Sequence, residues 1–172
     1  GVQTCALPIF NLAVALRRLT NQEVCLIDLD LQCGETPVFL DFKPLYTILD
    51  LCQGLASLDA SFIKGALYAH SSGVHVLPAP LNLEDSETVT AAAFERILEL
   101  LREMFPYIVI DTSAHLTETA LVAVEQASSV YMLTDNMVSS VRALQRSLDT
   151  FSRLGIDSQA FRFVLSRSVG RS

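Results

Sequence analysis

Val24–Gly34 reads VCLIDLDLQCG, and the fold is decided there. Four apolar residues, Val24 to Ile27, run without interruption into Asp28, and a second carboxylate follows at Asp30. A short apolar run, β-branched at both ends and closed by acid and then glycine, predicts a strand buried on both faces of a parallel sheet. Ligands of open α/β sheets sit beyond the carboxyl ends of such strands, where these acids emerge. The pattern returns at Tyr107–Asp111, YIVID, followed by the polar turn Thr112–Ser113. Two buried strands that each deliver an aspartate to one sheet edge suggest a Mg-nucleotide site. The alternative for either acid is that it caps the helix that follows.

Outward from these strands, the other elements alternate. Residues 10–20 predict a helix with Leu12, Leu16 and Leu19 on one face and Arg17 and Arg18 on the other. Leu31 to Pro44 reads as irregular, and two short helices near 45–53 and 58–69 are separated by Gly54. Val74–Leu77 is a short strand. Thr90 to Phe105 is a long amphipathic helix with Phe94, Ile97, Leu98, Leu101 and Phe105 inward, ended by Pro106. A helix at Thr117–Ala127 and a strand at Val130–Thr134 follow. Next comes a helix capped by Asp135 or Asn136, carrying Val141, Leu144, Leu148 and Phe151 and closed by Gly155. Ala160–Leu165 is the last strand. The alternation predicts an α/β fold: a doubly wound, mainly parallel sheet with helices on both faces.

Composition narrows the function. With 172 residues, 51% hydrophobic and 18% charged, the chain is long enough for one domain with a substantial core. No apolar run approaches the roughly 18 residues of a membrane helix. A net charge of −7 argues against direct nucleic-acid binding. Cys5, Cys25, Cys33 and Cys52 show neither CxxC spacing nor a disulfide framework, and cytosol is the expected compartment. His70 and His75 lack ligand-spaced partners, so no zinc site is expected. His115 reads as a loop residue, and Ser113 has no G-x-S-x-G context. A response-regulator receiver would need a lysine near the end of a late strand, and none follows Lys64.

The segments VCLIDLDLQCGE, LDFKPLYTILDL, YIVIDTSAHLTETALVAVEQAS and VYMLTDNMVSSVRALQRSLDTF together resemble the MinD/ParA class of P-loop ATPases. Within it they are most similar to the CpaE/TadZ proteins of Flp pilus assembly. The likeness extends from Asn11 to Arg167. It implies a P-loop fold with its first strand missing here, Mg-ATP as cofactor, and a homodimer formed around nucleotide. It also implies pilus or secretion proteins at the inner membrane as partners, and recruitment from the cytoplasm to that membrane or the cell pole. By position, Asp30 resembles the switch aspartate that places the attacking water, in contact with the metal and nucleotide. Asp111 resembles the Walker B acid that holds Mg²⁺, and Asp28 reads as structural. Ser166 stands where the family's base-contacting Asn falls in the last strand, a departure that puts the adenine contact in question.

A second departure is larger. No G-x-x-x-x-G-K-[ST] occurs, and the only lysines, Lys43 and Lys64, follow no glycine. Residues 1–9, GVQTCALPI, match one translated frame of a common sequencing-library adapter, just where a first strand and phosphate loop belong. The expectation is therefore an adapter artefact over 1–9 and a truncated MinD/ParA-like ATPase domain over 10–172, poor at holding phosphate by itself. Two functions remain open: an ATPase acting in pilus assembly and localisation, or a scaffold that keeps the fold without hydrolysis.

Overall fold

The computed structural model describes residues 6–165 apart from 33, 35, 114 and 157. These residues form two compact units, the first ending at Val122 and the second beginning at Ala123. Among the described residues no helix is long and apolar enough to cross a membrane.

The first unit is built on a four-stranded sheet. β1 (Val24–Leu29) lies at its centre between β3 (Val74–Leu77) and β4 (Tyr107–Thr112), parallel to both. β2 (Tyr68–Ala69) adds antiparallel to the far side of β3. All six residues of β1 are buried, as an uninterrupted apolar run in a parallel sheet requires. Val24 and Leu26 point to one face, where they join Val74, Val76 and Val109 under α1 (Ala6–Thr20). Cys25 and Ile27 point the other way and are fully buried too, so both faces of the strand are covered.

α1 begins at Ala6, within the stretch set apart above, and of the three leucines expected to face inward Leu12 and Leu16 pack against the core under it, whereas Leu19 does not. Ala13 is fully buried at the centre of that face, flanked by Ile9, Phe10 and Leu16. Leu19 is 85% exposed, and Arg17, expected outward, is half-buried and donates from Nη1 to Asn21 Oδ1 at 3.1 Å. The small Ala13 side chain sets the close approach, and 3.6-residue periodicity then carries Leu19 away from the sheet.

The stretch 31–44 contains one short helix, α2 (Thr36–Phe39). The two helices expected next are shorter than the pattern implied: α3 (Ile48–Gln53), capped reciprocally by Thr47 and Asp50, and α4 (Ala60–Ala66), capped by Asp59. α4 stops at Ala66 because Tyr68 and Ala69 pair with Val76 and His75 across a tight turn. Gly73 closes that turn at φ 83°, a left-handed conformation that favours glycine. α5 (Ala91–Met104) matches its expectation closely. Thr90 caps it by accepting from the Ala93 N–H at 3.2 Å, and Phe94, Ile97, Leu98, Leu101 and Phe105 are all buried.

α6 (Glu118–Gln126) spans the boundary between the units. In the second unit β5 (Val130–Thr134) pairs parallel with β6 (Phe161–Leu165), and Phe151 of α7 (Val138–Arg153) lies 5.1 Å from Phe161, ring to ring. The expected side-chain cap of α7 is not made. Its N-cap is Met137, and Asp135 Oδ1 instead accepts from the Met137 N–H at 3.0 Å, one step before the helix. The result is an α/β fold with a mostly parallel sheet.

Candidate functional site

The parallel ladder of β1 on β4 sets Asp28 directly across from Asp111. Both are buried, at 1% and 6% exposure, and Asp30 stands half-buried just past the end of β1. Adjacent parallel strands in register direct side chains at paired positions to the same face, so the two acids emerge together. The register itself pairs Asp28 with Asp111, and Asp30, two residues on, is near enough for its charge to act on Asp111. Ser166 lies outside the described residues.

Asp28 has a definite local job. Its Oδ1 accepts from the Asp30 N–H at 3.2 Å, and its Oδ2 accepts from the Thr36 N–H at 3.3 Å at the start of α2. The Thr36 hydroxyl donates to the same carboxylate. Burial raises the Asp28 pKa, those donors pull it back in part, and the neighbouring charge of Asp30 raises it further. Asp111 is pushed up to about 7, first by burial and then by the charges of Asp28 and Asp30. Asp28 therefore serves the start of the next helix, whereas Asp111 faces other carboxylates.

A cavity of about 280 Å³ opens beside this edge, lined by Leu29, Gln32, Thr90, Ser113, Thr117 and Thr119 among others. Its hydroxyls and the first residues of α5 and α6 give it hydrogen-bonding capacity on an apolar floor. Sequence reading missed Thr36, Thr117 and Thr119. Thr36–Pro37 carries a signal for a helix start, but the contact to Asp28 spans a loop that no local pattern encodes. The histidines stand elsewhere. His70 Nδ1 lies 2.8 Å from Ser72 Oγ, and His75 pairs with Glu23 at 2.7 Å across 52 residues, a partner hidden from local spacing. Ser113 donates to the His115 carbonyl at 3.0 Å.

A hard divalent cation fits the acids. Among the described residues no Lys, Arg or His pairs with Asp28 or Asp111, and a buried carboxylate held near neutrality by its neighbours' charge lacks a counter-ion. Among the described residues no group of three or more His, Cys, Asp or Glu side chains could hold a metal ion by itself.

No protein-family model matches the chain. It is 28% identical over 149 residues to an uncharacterized ATP-binding protein of Methanocaldococcus jannaschii, covering 86% of this chain and 54% of that protein. It is also 28% identical over 138 residues to the septum site-determining protein MinD of Synechocystis, covering 79% and 50%. A Pyrococcus furiosus cell division ATPase MinD superposes with a TM-score of 0.75 at 25% identity, over 95% of this chain and 66% of that one. The MinD/ParA class of P-loop ATPases is the family these relatives support. A ParA family ATPase of Chlorobium tepidum shares the MinD/ParA fold at a TM-score of 0.87 and 17% identity, over 94% and 68% of the two chains. MinD of Pyrococcus horikoshii, solved with Mg-ADP, matches at a TM-score of 0.73 and 21% identity, over 95% of this chain and 65% of that one. The chain spans about half the length of the curated relatives it matches.

Proposed function

We propose that this chain belongs to a Mg-ATP-dependent ATPase of MinD/ParA type, acting as a homodimer in the assembly and localisation of a Flp-type pilus, as CpaE/TadZ proteins do. It would work in the cytoplasm, recruited to the inner membrane or the cell pole. The observation that carries the nucleotide reading is the pair Asp28–Asp111, buried in register at the carboxyl end of a parallel sheet, with Asp30 beside it. A relative described as ATP-binding and a structural neighbour bound to Mg-ADP support the same chemistry. The pilus assignment rests on the sequence resemblance alone.

In this reading Asp111 would hold the magnesium ion, and Asp30 would orient the attacking water. The bound nucleotide supplies the γ-phosphoryl group, and positioned charge supplies most of the rate. A non-hydrolysing scaffold is the second reading, and the native sequence upstream of the first helix discriminates: a complete lysine-bearing phosphate loop favours the ATPase, a degenerate one the scaffold.

The test is ATP affinity, with and without Mg²⁺, beside steady-state hydrolysis, in full-length protein with its native sequence upstream of the first helix. Asp30→Ala should keep binding and any ATP-dependent dimer while slowing turnover roughly 10- to 1000-fold. Asp111→Ala should also lose the Mg²⁺-dependent part of the affinity. A parent that hydrolyses no ATP, or two variants that match it, would remove the enzyme reading and leave the scaffold.

A further inference from the structure

The bonds of Asp28 reach both ends of one loop. Oδ1 takes the N–H of Asp30, where the chain leaves β1, and Oδ2 takes the N–H of Thr36, where α2 begins, with the Thr36 hydroxyl added. A single carboxylate thus closes residues 30–36 into a ring. Gly34 gives a second, independent measure of how tightly that ring is drawn. A Cβ at Gly34 would lie 2.5 Å from Ala79 Cβ, 3.1 Å from Asp28 Oδ2 and 3.2 Å from the Asp30 carbonyl oxygen. Leu31 and Gln32, between the two anchor points, form one wall of the cavity that Ser113 and Thr117 line from β4's side.

We propose that Asp28 is a positioning residue: it straps the loop 30–36, and so fixes Asp30 and the Leu31–Gln32 wall relative to Asp111. The catalytic consequence rests on the nucleotide reading above, whereas the strap itself does not. A carboxylate is needed because all its partners are donors. An asparagine would offer two of its own hydrogens to N–H groups that need acceptors, and one anchor would open. Thr36 is the second half of the device, since its hydroxyl supplies the one donor that a side-chain substitution can remove without touching the backbone.

The experiment uses the full-length protein, with Asp28→Asn, Thr36→Val and Thr36→Ser. Amide hydrogen exchange is read by NMR at Asp30, at Thr36 and, as a reference, across Val74–Leu77. Losing one net hydrogen bond should speed exchange at Asp30 and Thr36 about fivefold in Thr36→Val, and about tenfold or more in Asp28→Asn. The reference strand should be unchanged, and Thr36→Ser should restore the parent rates. With nucleotide, kcat should fall in the same order while KM stays constant.

Unchanged exchange at Asp30 and Thr36, or an equal rise in the reference strand, overturns the strap. Loosened exchange with unchanged kcat overturns the positioning role. A parent without hydrolysis removes the ATPase reading instead, and the exchange data then decide the strap by themselves.

Discussion

Replacing Asp111 by asparagine should make the protein more stable at high pH, and the size of the gain follows from the site. In the fold this carboxyl is pushed up to about 7 by burial and by Asp28 and Asp30. In the unfolded chain it titrates near the ordinary value of about 3.9. Between those values folding takes up a proton, so the stability contributed by the neutral acid is fully present below about pH 4 and is lost as pH rises to about 7. Each pH unit in that window is worth about 1.4 kcal/mol. From pH 5 to pH 8 the wild-type protein should therefore lose about 2–3 kcal/mol relative to Asp111→Asn, which keeps the shape and carries no charge. Urea denaturation of both proteins at the two pH values measures that difference directly. Millimolar Mg²⁺ should shrink it, because a cation at the acids relieves the same repulsion. A gap between the proteins that is the same at pH 5 and pH 8 would refute the charge crowding inferred for this site.

Gly34→Ala should cost about 1–3 kcal/mol by overpacking against Ala79, and adding Ala79→Gly should recover a good part of it in the same melts. The face that α1 presents is checked by Leu19→Ala, expected within about 0.5 kcal/mol of wild type, against Leu101→Ala in α5, expected to cost about 2–5 kcal/mol. A large loss at Leu19 would restore the leucine face that sequence periodicity suggested. Iodoacetamide should leave Cys25 unlabelled in the folded protein, since the thiol is buried in β1 and burial raises its pKa, and label it once denatured, as mass spectrometry would record.

What could be read from the sequence followed from how much each element depends on itself. β1 was legible because a strand buried on both faces must be apolar throughout; β4 carries the same apolar run, although only Val109 and Asp111 of it are buried. α5 was legible because its apolar period is unbroken and Thr90 announces it. β2 was not, for its two residues are strand only through pairing with His75 and Val76. The α1 face was read in part: Leu12 and Leu16 pack on the core as expected, but Ala13, the small residue at its centre, was passed over and Leu19 turns outward. At the site, Asp30 and Asp111 carry family-like signatures within their own strands. The partnership of Asp28 with Thr36 crosses a loop, and the pairing of His75 with Glu23 spans two strands, so neither has a local trace.

The ladder that sets Asp28 opposite Asp111 also dates the site within the folding of the chain. The two acids come from segments separated by α2, α3, α4, β2, β3 and α5 and the loops between, so no local event can bring them together. Helices can form early, but this pairing must wait for long-range closure of the parallel sheet, with its loop entropy already spent. A nascent chain that has not yet released residue 112 has no paired acids, however much helix it has formed. In the nucleotide reading proposed above, a probe for divalent cations at this edge would report when the central sheet closes, and a one-residue slip of register would be read as a site that never appears.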